Sequence, residues 1–192
     1  LDGANAANLK ALTGGYAQDG THAYFEGQPF AVADAASFEP LDDGFARDRR
    51  RAYFQRAAIA GSEGASFTPL GHHFARDAQS VWYADPYAGD GPAGAARIAG
   101  ADPATFHLLD GDYARDARRA YYRARSLTDD AASFQVLSFG YAKSTTTVWY
   151  EGQAMPGADA ASFVILEPVT DAANARDRSG LYKDGRRVAP AP

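Results

Sequence analysis

The sequence predicts a mainly β tandem-repeat fold: units of about 29 residues, each a β-hairpin plus a short helical turn, stacked as an open or curled array. Three observations predict it. An aromatic-Ala-basic/amide-Asp tetrad recurs along the chain, a second aromatic pair follows five residues after each Asp, and an acidic turn ending in Ser/Thr-Phe closes each unit.

The tetrad appears as Tyr16-Ala17-Gln18-Asp19, Phe45-Ala46-Arg47-Asp48, Phe74-Ala75-Arg76-Asp77, Tyr113-Ala114-Arg115-Asp116 and Tyr141-Ala142-Lys143-Ser144. In the last of these the run Leu137 to Ala142 alternates with the period of a strand, placing Leu137, Phe139 and Tyr141 on one face. A polar turn follows, opened by an Asp that can bond backbone amides two residues on. The return strand carries the aromatic pairs Tyr24-Phe25, Tyr53-Phe54, Trp82-Tyr83, Tyr121-Tyr122 and Trp149-Tyr150, residue types that suit a pleated, half-buried surface. Six residues beyond the first member of each pair comes an apolar residue: Phe30, Ile59, Leu127 or Met155, with Ile98 in that role after an insertion.

The closing turns run Asp34 to Phe38, Glu63 to Phe67, Asp102 to Phe106, Asp130 to Phe134 and Asp159 to Phe163. In Asp34-Ala35-Ala36-Ser37 and Asp159-Ala160-Ala161-Ser162 the acid precedes helix-tolerant alanines, which predicts a short helix or 3₁₀ turn capped by the Asp side chain. The Phe that follows points inward. At a few kcal/mol per buried aromatic, Phe38, Phe67, Phe106, Phe134 and Phe163 form the core together with the strand aromatics.

The full units span about 13–41, 42–70, 71–109, 110–137 and 138–166, with partial units at 1–12 and 171–188. Residues Asn5 to Leu12 align with Asp34 to Leu41, whereas Asn174-Ala175-Arg176-Asp177 and Leu181-Tyr182 align with the front half. The fragments are complementary, so a propeller-like ring closed by joining them into a sixth unit is the alternative to the open array; closure would remove exposed sheet edges. The unit is short for a four-stranded propeller blade. No linker or composition shift divides the 192 residues, which read as one domain.

A net charge of −5 argues against a broad grip on nucleic acid. The clusters Arg49-Arg50-Arg51 and Arg118-Arg119 fall where the repeat places a hairpin tip in solvent. There is no membrane-spanning run and no basic-then-apolar leader, and the chain begins at Leu1, which leaves room for an upstream segment. No cysteine means no disulfide and no thiolate chemistry. Of the four histidines, His22 and His107 read as exposed, and the adjacent His72 and His73, read as strand residues, point to opposite faces. The sequence therefore predicts no metal site and no cofactor. Neither a Gly-x-Ser-x-Gly elbow nor a His-Glu-x-x-His pair is present, and no catalytic residues are assigned.

The pattern of aromatic-Ala-Lys/Arg-Asp, an aromatic pair and then Gly157-Ala158-Asp159-Ala160-Ala161-Ser162-Phe163 resembles the bacterial DKNYY repeat family over nearly the whole chain. The turns depart from it, with Asp48-Arg49-Arg50 or Ser144-Thr145-Thr146 in place of Asp-Lys-Asn. The resemblance implies a bacterial protein of the periplasm or cell envelope.

Residues present in every unit serve the scaffold, because one active site needs no five copies. Function is sought where the repeat breaks. The clearest break is an insertion of about ten residues between Tyr83 and Ile98, and loops of this kind carry function more often than the elements they join. Its Asp85, Tyr87, Asp90 and Arg97 offer an aromatic, acids and a base to a partner. The sequence thus predicts a non-enzymatic protein that binds another protein, such as an immunity or inhibitor protein neutralising a secreted toxin or hydrolase, or an envelope component's partner. The rival reading is a carbohydrate or cell-wall binding module in which Trp82 and Trp149 stack on sugar rings. A glycan-acting enzyme ranks third.

Overall fold

A computed structural model describes residues 8–87 and 94–188. The chain is mainly β, a tandem of six four-stranded antiparallel sheets, none of them closed into a barrel. It divides into two compact units, Leu1–Ala104 and Thr105–Pro192. The first unit holds sheets 1 to 3 and the second holds sheets 4 to 6.

Each sheet is a meander. Sheet 2, for instance, runs Glu39–Pro40, Phe45–Arg47, Ala52–Phe54 and Ala57–Ala58 in spatial order. The expected hairpin is its centre: Phe45 pairs with Phe54, Ala46 with Tyr53 and Arg47 with Ala52. Tyr141 to Lys143 pairs with Val148 to Tyr150 in the same register. A short strand flanks the hairpin on each side, so the sheet is wider than the hairpin that the sequence predicts.

The sheets are out of phase with the sequence units. The strand that opens each sheet follows the Phe of the preceding acidic turn, as Glu39–Pro40 follows Phe38. The N-terminal fragment supplies Lys10–Ala11, which pairs with Tyr16–Gln18 to complete sheet 1. The C-terminal fragment supplies Ala175–Asp177, Gly180–Lys183 and Arg186–Val188, which join Val164–Ile165 in sheet 6. The two fragments therefore lie in different sheets and do not join into one.

Two local expectations are corrected. The run Leu137 to Ala142 is not one strand. It turns at Ser138-Phe139-Gly140, where the Tyr141 amide donates to the Ser138 carbonyl (3.3 Å), Phe139 has φ of 61° and its ring is 52% exposed. His72 and His73 occupy the same turn position in sheet 3, with φ of 49° and 62°, and not a strand. Period-two alternation survives across such a turn because two left-handed residues keep the flanking apolar residues in step. The acidic turns meet the expectation of a short helix or 3₁₀ turn in part. Ala35–Ser37 and Gly64–Ser66 are 3₁₀ turns, while Asp102, Asp130 and Asp159 introduce plain turns. Asp34 and Glu63 make no side-chain bond to a backbone amide at the cap.

Stacking is organised by the turn Phe, which points inward as expected. Phe38 lies between Tyr16 and Phe30 of sheet 1 (ring centroids 5.7 and 5.9 Å) and Tyr53 of sheet 2 (6.1 Å). Phe67 lies between Phe45 and Trp82, Phe134 between Tyr113 and Trp149, and Phe163 between Tyr141 and Tyr182. Each sheet thus has a leading face, Tyr16, Ala23 and Phe30 in sheet 1, and a trailing face, Ala46 and Tyr53 in sheet 2, that meet on one Phe. Alanines dominate the covered slots because a larger side chain would hold the Phe away from its neighbours.

Replacing the fully buried Phe67 by Ala should cost about 3–5 kcal/mol of stability, as expected for a large ring lost between two sheets. Phe139→Ser, on an exposed turn, should change stability by no more than about 0.5 kcal/mol. Urea titrations of the two variants check this, and equal losses would refute the sandwich as the organising contact.

Candidate functional site

The recurring polar residues are spent inside the scaffold. The Asp of each tetrad sits at a hairpin tip and is buried: Asp19, Asp48, Asp77, Asp116 and, in sheet 6, Asp177. In Asp48, Oδ1 accepts from the amides of Arg50 (2.7 Å) and Arg51 (2.9 Å), which closes the tip. Its Oδ2 accepts from the Tyr53 hydroxyl (2.5 Å) and from the amides of Ala33 and Asp34 (2.9 Å each) in the preceding acidic turn. The sequence shows the tip role of the Asp. Its second role, seizing the turn that arrives from the previous sheet, follows only from the three-dimensional stack. Asp77 and Asp177 do the same for the amides of Glu63 (2.8 Å) and Asp159 (2.6 Å).

The Asp pairs with the aromatic five residues on. Tyr24, Tyr53, Tyr121 and Tyr182 each donate a hydroxyl to the carboxylate of their own hairpin at 2.5 to 2.9 Å. Where that aromatic is Trp149, the acid is replaced by Ser144, whose hydroxyl accepts from the Thr146 and Thr147 amides at 3.3 Å. Trp82 leaves Asp77 with its amide partners.

The Ser/Thr before each turn Phe had no assigned role in the sequence, yet it forms a second staple. Ser37, Ser66, Thr105, Ser133 and Ser162 each accept the amide of the residue after the next hairpin's tetrad: Arg49, Ala78, Ala117, Thr145 and Arg178, at 2.9 to 3.3 Å. The turn acid orients that hydroxyl, with Ser37 donating to Asp34 (2.7 Å), Ser66 to Glu63 (2.6 Å) and Ser162 to Asp159. At Asp34 and Glu63 this replaces the expected cap, while Asp102 and Asp130 do accept the amides of Ala104 (3.0 Å) and Ser133 (3.2 Å). The basic residue of the tetrad supplies a third staple by reaching forward. Arg47 donates to the Phe67 carbonyl (2.9 Å), Arg115 to Ala131 (3.1 Å) and Lys143 to Phe163 (2.9 Å). Gln18 stands in the same slot with a shorter reach, and its buried Oε1 has no partner among the described residues.

The electrostatics follow from this donor count. For Asp48 burial works to raise the pKa, but the Tyr53 hydroxyl and the Arg51, Arg50 and Asp34 amides outweigh it and hold the carboxyl below its usual range. Asp177 is likewise held at about 2, burial being outweighed by the Asp159 amide, Ser179 and Tyr182. Asp19 is lowered by the Thr21 and His22 amides. Burial pushes the Tyr113 hydroxyl up to about 12, against a lowering by the Gly152 amide it accepts from. Strongly shifted groups often mark active sites, and structural networks shift them equally well. Here repetition along the chain identifies the network as structural.

The singular features stand apart. The expected insertion is shorter than its sequence bounds, because Ala84 ends one strand of sheet 3 and Ala95–Arg97 forms the next, with Trp82 opposite Arg97 and Ala84 opposite Ala95. The connection is 85–94, where sheets 1, 2, 4, 5 and 6 have two-residue turns such as Glu151-Gly152. Tyr87 is 89% exposed, and its amide donates to Asp85 Oδ1 (2.9 Å), so Asp85 shapes the start of the loop. Arg97 is exposed on the strand that leaves it. Asp90 lies outside the described residues. Trp82 and Trp149 are 1% and 5% exposed, locked against Phe67 and Phe134, so neither offers a face to a sugar ring. His22 and His107 are exposed, Arg49 to Arg51 project from their tip, and among the described residues no group of three or more His, Asp or Glu converges as a metal site. A recess of about 400 Å³ between sheets 5 and 6, lined by Tyr150, Met155, Asp184, Arg186 and Arg187, is open to solvent.

No family model, no curated protein and no solved structure matches this chain.

The pKa directions predict stability against pH on both sides. A carboxylate with a folded value of about 2 against an ordinary 3.8 contributes stability above pH 3.8 that is lost as pH falls toward 2. A tyrosine raised from 10.0 to about 12 contributes stability below pH 10 that is lost as pH rises toward 12. The urea midpoint should therefore be flat between these limits and fall at both ends. A decline centred near pH 6.5 instead would assign the control to histidine. Asp48→Asn, which keeps the shape but removes acceptor capacity from a buried site, should cost about 1–3 kcal/mol at neutral pH.

Proposed function

We propose that this protein is a non-enzymatic binding scaffold that holds a protein partner through the third-sheet loop and the strand leaving it. In its most concrete form it is an immunity or inhibitor protein that neutralises a secreted toxin or hydrolase. The observation that carries this reading is the contrast between the repeated residues and the clearest break in the repeat, a smaller one lying at 166–174 between the first two strands of sheet 6. The repeated acids, bases and hydroxyls bond to one another and to the backbone between sheets, which leaves them no free chemistry. The 85–94 connection instead presents a nearly fully exposed Tyr87, with Arg97 exposed on the strand that leaves it. An exposed aromatic on a rigid two-strand base is the residue type that most often anchors a protein interface. The resemblance to the DKNYY repeat proteins, with the periplasmic or envelope location it implies, belongs to the same proposal. The carbohydrate-binding reading loses its motivation, since both tryptophans lie in the core.

The strand positions of Ala84 and Ala95–Arg97 define the clean deletion. Replacing 85–94 by Glu-Gly, the turn that sheet 5 uses at Glu151-Gly152, should leave the circular dichroism and the urea midpoint intact. Incubated with secreted and envelope fractions, the intact protein should retain one dominant protein that the shortened form does not, and Tyr87→Ala should weaken that complex at least about tenfold. Retention of the same protein by both forms would refute the loop as the binding element.

A further inference from the structure

The joint between sheets 4 and 5 and the joint between sheets 5 and 6 begin alike and end differently. In the first, the Tyr122 ring lies so close on Gly152 that a Cβ there would fall 2.4 Å from it. In the second, the Tyr150 ring lies on Gly185 in the same way, at 2.5 Å. Beyond the tyrosine the two joints part. Arg125, opposite Tyr122 in sheet 4, reaches across and donates to the Gly152 carbonyl, which closes the outer part of that joint. Gln153 holds the same register opposite Tyr150 in sheet 5. Its shorter side chain is exposed and donates to no carbonyl of sheet 6 among the described residues. The recess of about 400 Å³ between sheets 5 and 6 lies beside Gln153, where the longer side chain is missing. Its volume falls in the range of roughly 300–1,000 Å³ that small-ligand sites occupy.

Its walls are of two kinds. Tyr150, Met155 and Pro156 on the sheet 5 side offer ring and aliphatic surface, while Asp184, Arg186 and Arg187 on the sheet 6 side offer charge. Two guanidinium groups against one carboxylate leave the lining net cationic. The acid is partly engaged, since Asp184 accepts from the Asn174 side-chain amide (2.8 Å). Arg187 turns back onto its own sheet and donates to the Ser179 carbonyl. Arg186 is exposed and makes no ion pair or side-chain hydrogen bond among the described residues. Its planar fork of donors is therefore unspent, and that fork matches the edge of a carboxylate. The strand Arg186–Val188 leads away from the recess toward the hairpin tip, with Val188 opposite Leu181.

We propose that this recess binds a small aromatic carboxylate, its ring against Tyr150, Met155 and Pro156 and its carboxylate held by Arg186. A flat ring is the body that fits, because aromatic and thioether surfaces both pair favourably with a π face. A single negative charge suits the lining better than a doubly charged phosphate monoester, because Asp184 stands in the same lining and repels added charge. The site belongs to the second unit and is independent of the third-sheet loop and its partner.

Isothermal titration calorimetry with naphthoate tests the assignment, with naphthamide as the ring without the charge and acetate as the charge without the ring. Naphthoate should bind with a sub-millimolar Kd, at least about tenfold more tightly than either control, and more weakly as salt is raised. Arg186→Ala should weaken it about tenfold. Gln153→Arg, which gives the sheet 5–6 joint the residue that closes the sheet 4–5 joint, should fill the recess and abolish binding with no loss in the urea midpoint. Arg186→Ala alters an exposed side chain and so decides the matter even where Gln153→Arg disturbs the joint. Naphthamide binding as tightly as naphthoate, naphthoate binding that ignores Arg186→Ala, or no binding of naphthoate up to millimolar concentration would each overturn the proposal.

Discussion

A buried carboxylate at five of the six hairpin tips, with Ser144 at the other, is the constraint on which the stacking depends. Placing an unpaired carboxylate at 1% exposure, as for Asp48, would be costly. The site is tolerable because five donors converge on it: two tip amides, one tyrosine hydroxyl and two amides from the turn arriving from the previous sheet. Three of these donors lie within the hairpin and two come from outside it. The same charge therefore closes the tip and binds the neighbour, and a hairpin without its predecessor would leave that charge short of partners. This is why the repeats stabilise one another although no sheet is large enough to fold alone.

The Phe sandwich and the two lesser staples act on the same joint. Phe38, Phe67, Phe134 and Phe163 supply apolar area between adjacent sheets, while the carboxylate, the Ser/Thr hydroxyl and the forward-reaching cation fix how the turn lies across them. Packing alone would permit sliding, and directional bonds restrict it. Close approach tightens the restriction: a Cβ on Gly64 would fall 2.0 Å from the Asp48 carbonyl oxygen, so this turn lies directly on the preceding tip. A scaffold so fully engaged internally is free to vary where it is not engaged. The long 85–94 connection is one place where that freedom is used.

Much of the candidate site was legible before any coordinates. The break between Tyr83 and Ile98 stands out because the repeat around it is regular, and Tyr87 is exposed as an aromatic inside an inserted loop would be. The bounds were less legible, since Ala84 and Ala95–Arg97 look like loop residues in sequence yet pair as strands. Alanine carries little signal of either kind. The tryptophans misled in the opposite direction: repeated Trp suggests a stacking platform, but each lies in the slot where Tyr24 or Tyr53 packs against the neighbouring repeat. The strand misread through Phe139 and the His72-His73 turn share a cause, because left-handed backbone at a non-glycine residue leaves no mark in composition.

What the sequence determined by itself was the periodic part: the repeat, its aromatic anchors, the hairpin centred on each Asp, and the inward Phe after each turn. These follow from local spacing, and local spacing is what a linear chain displays. Tertiary structure decided everything that depends on which repeat lies beside which. It decided the widening of each hairpin to four strands, the capture of one turn by the next carboxylate, the role of the Ser/Thr hydroxyls, and the exposure of Leu181 where Val148 is buried. Leu181 and Val148 are alike as residues and sit in the same register. What differs is whether the described residues cover them, a property of the stack and not of the residue.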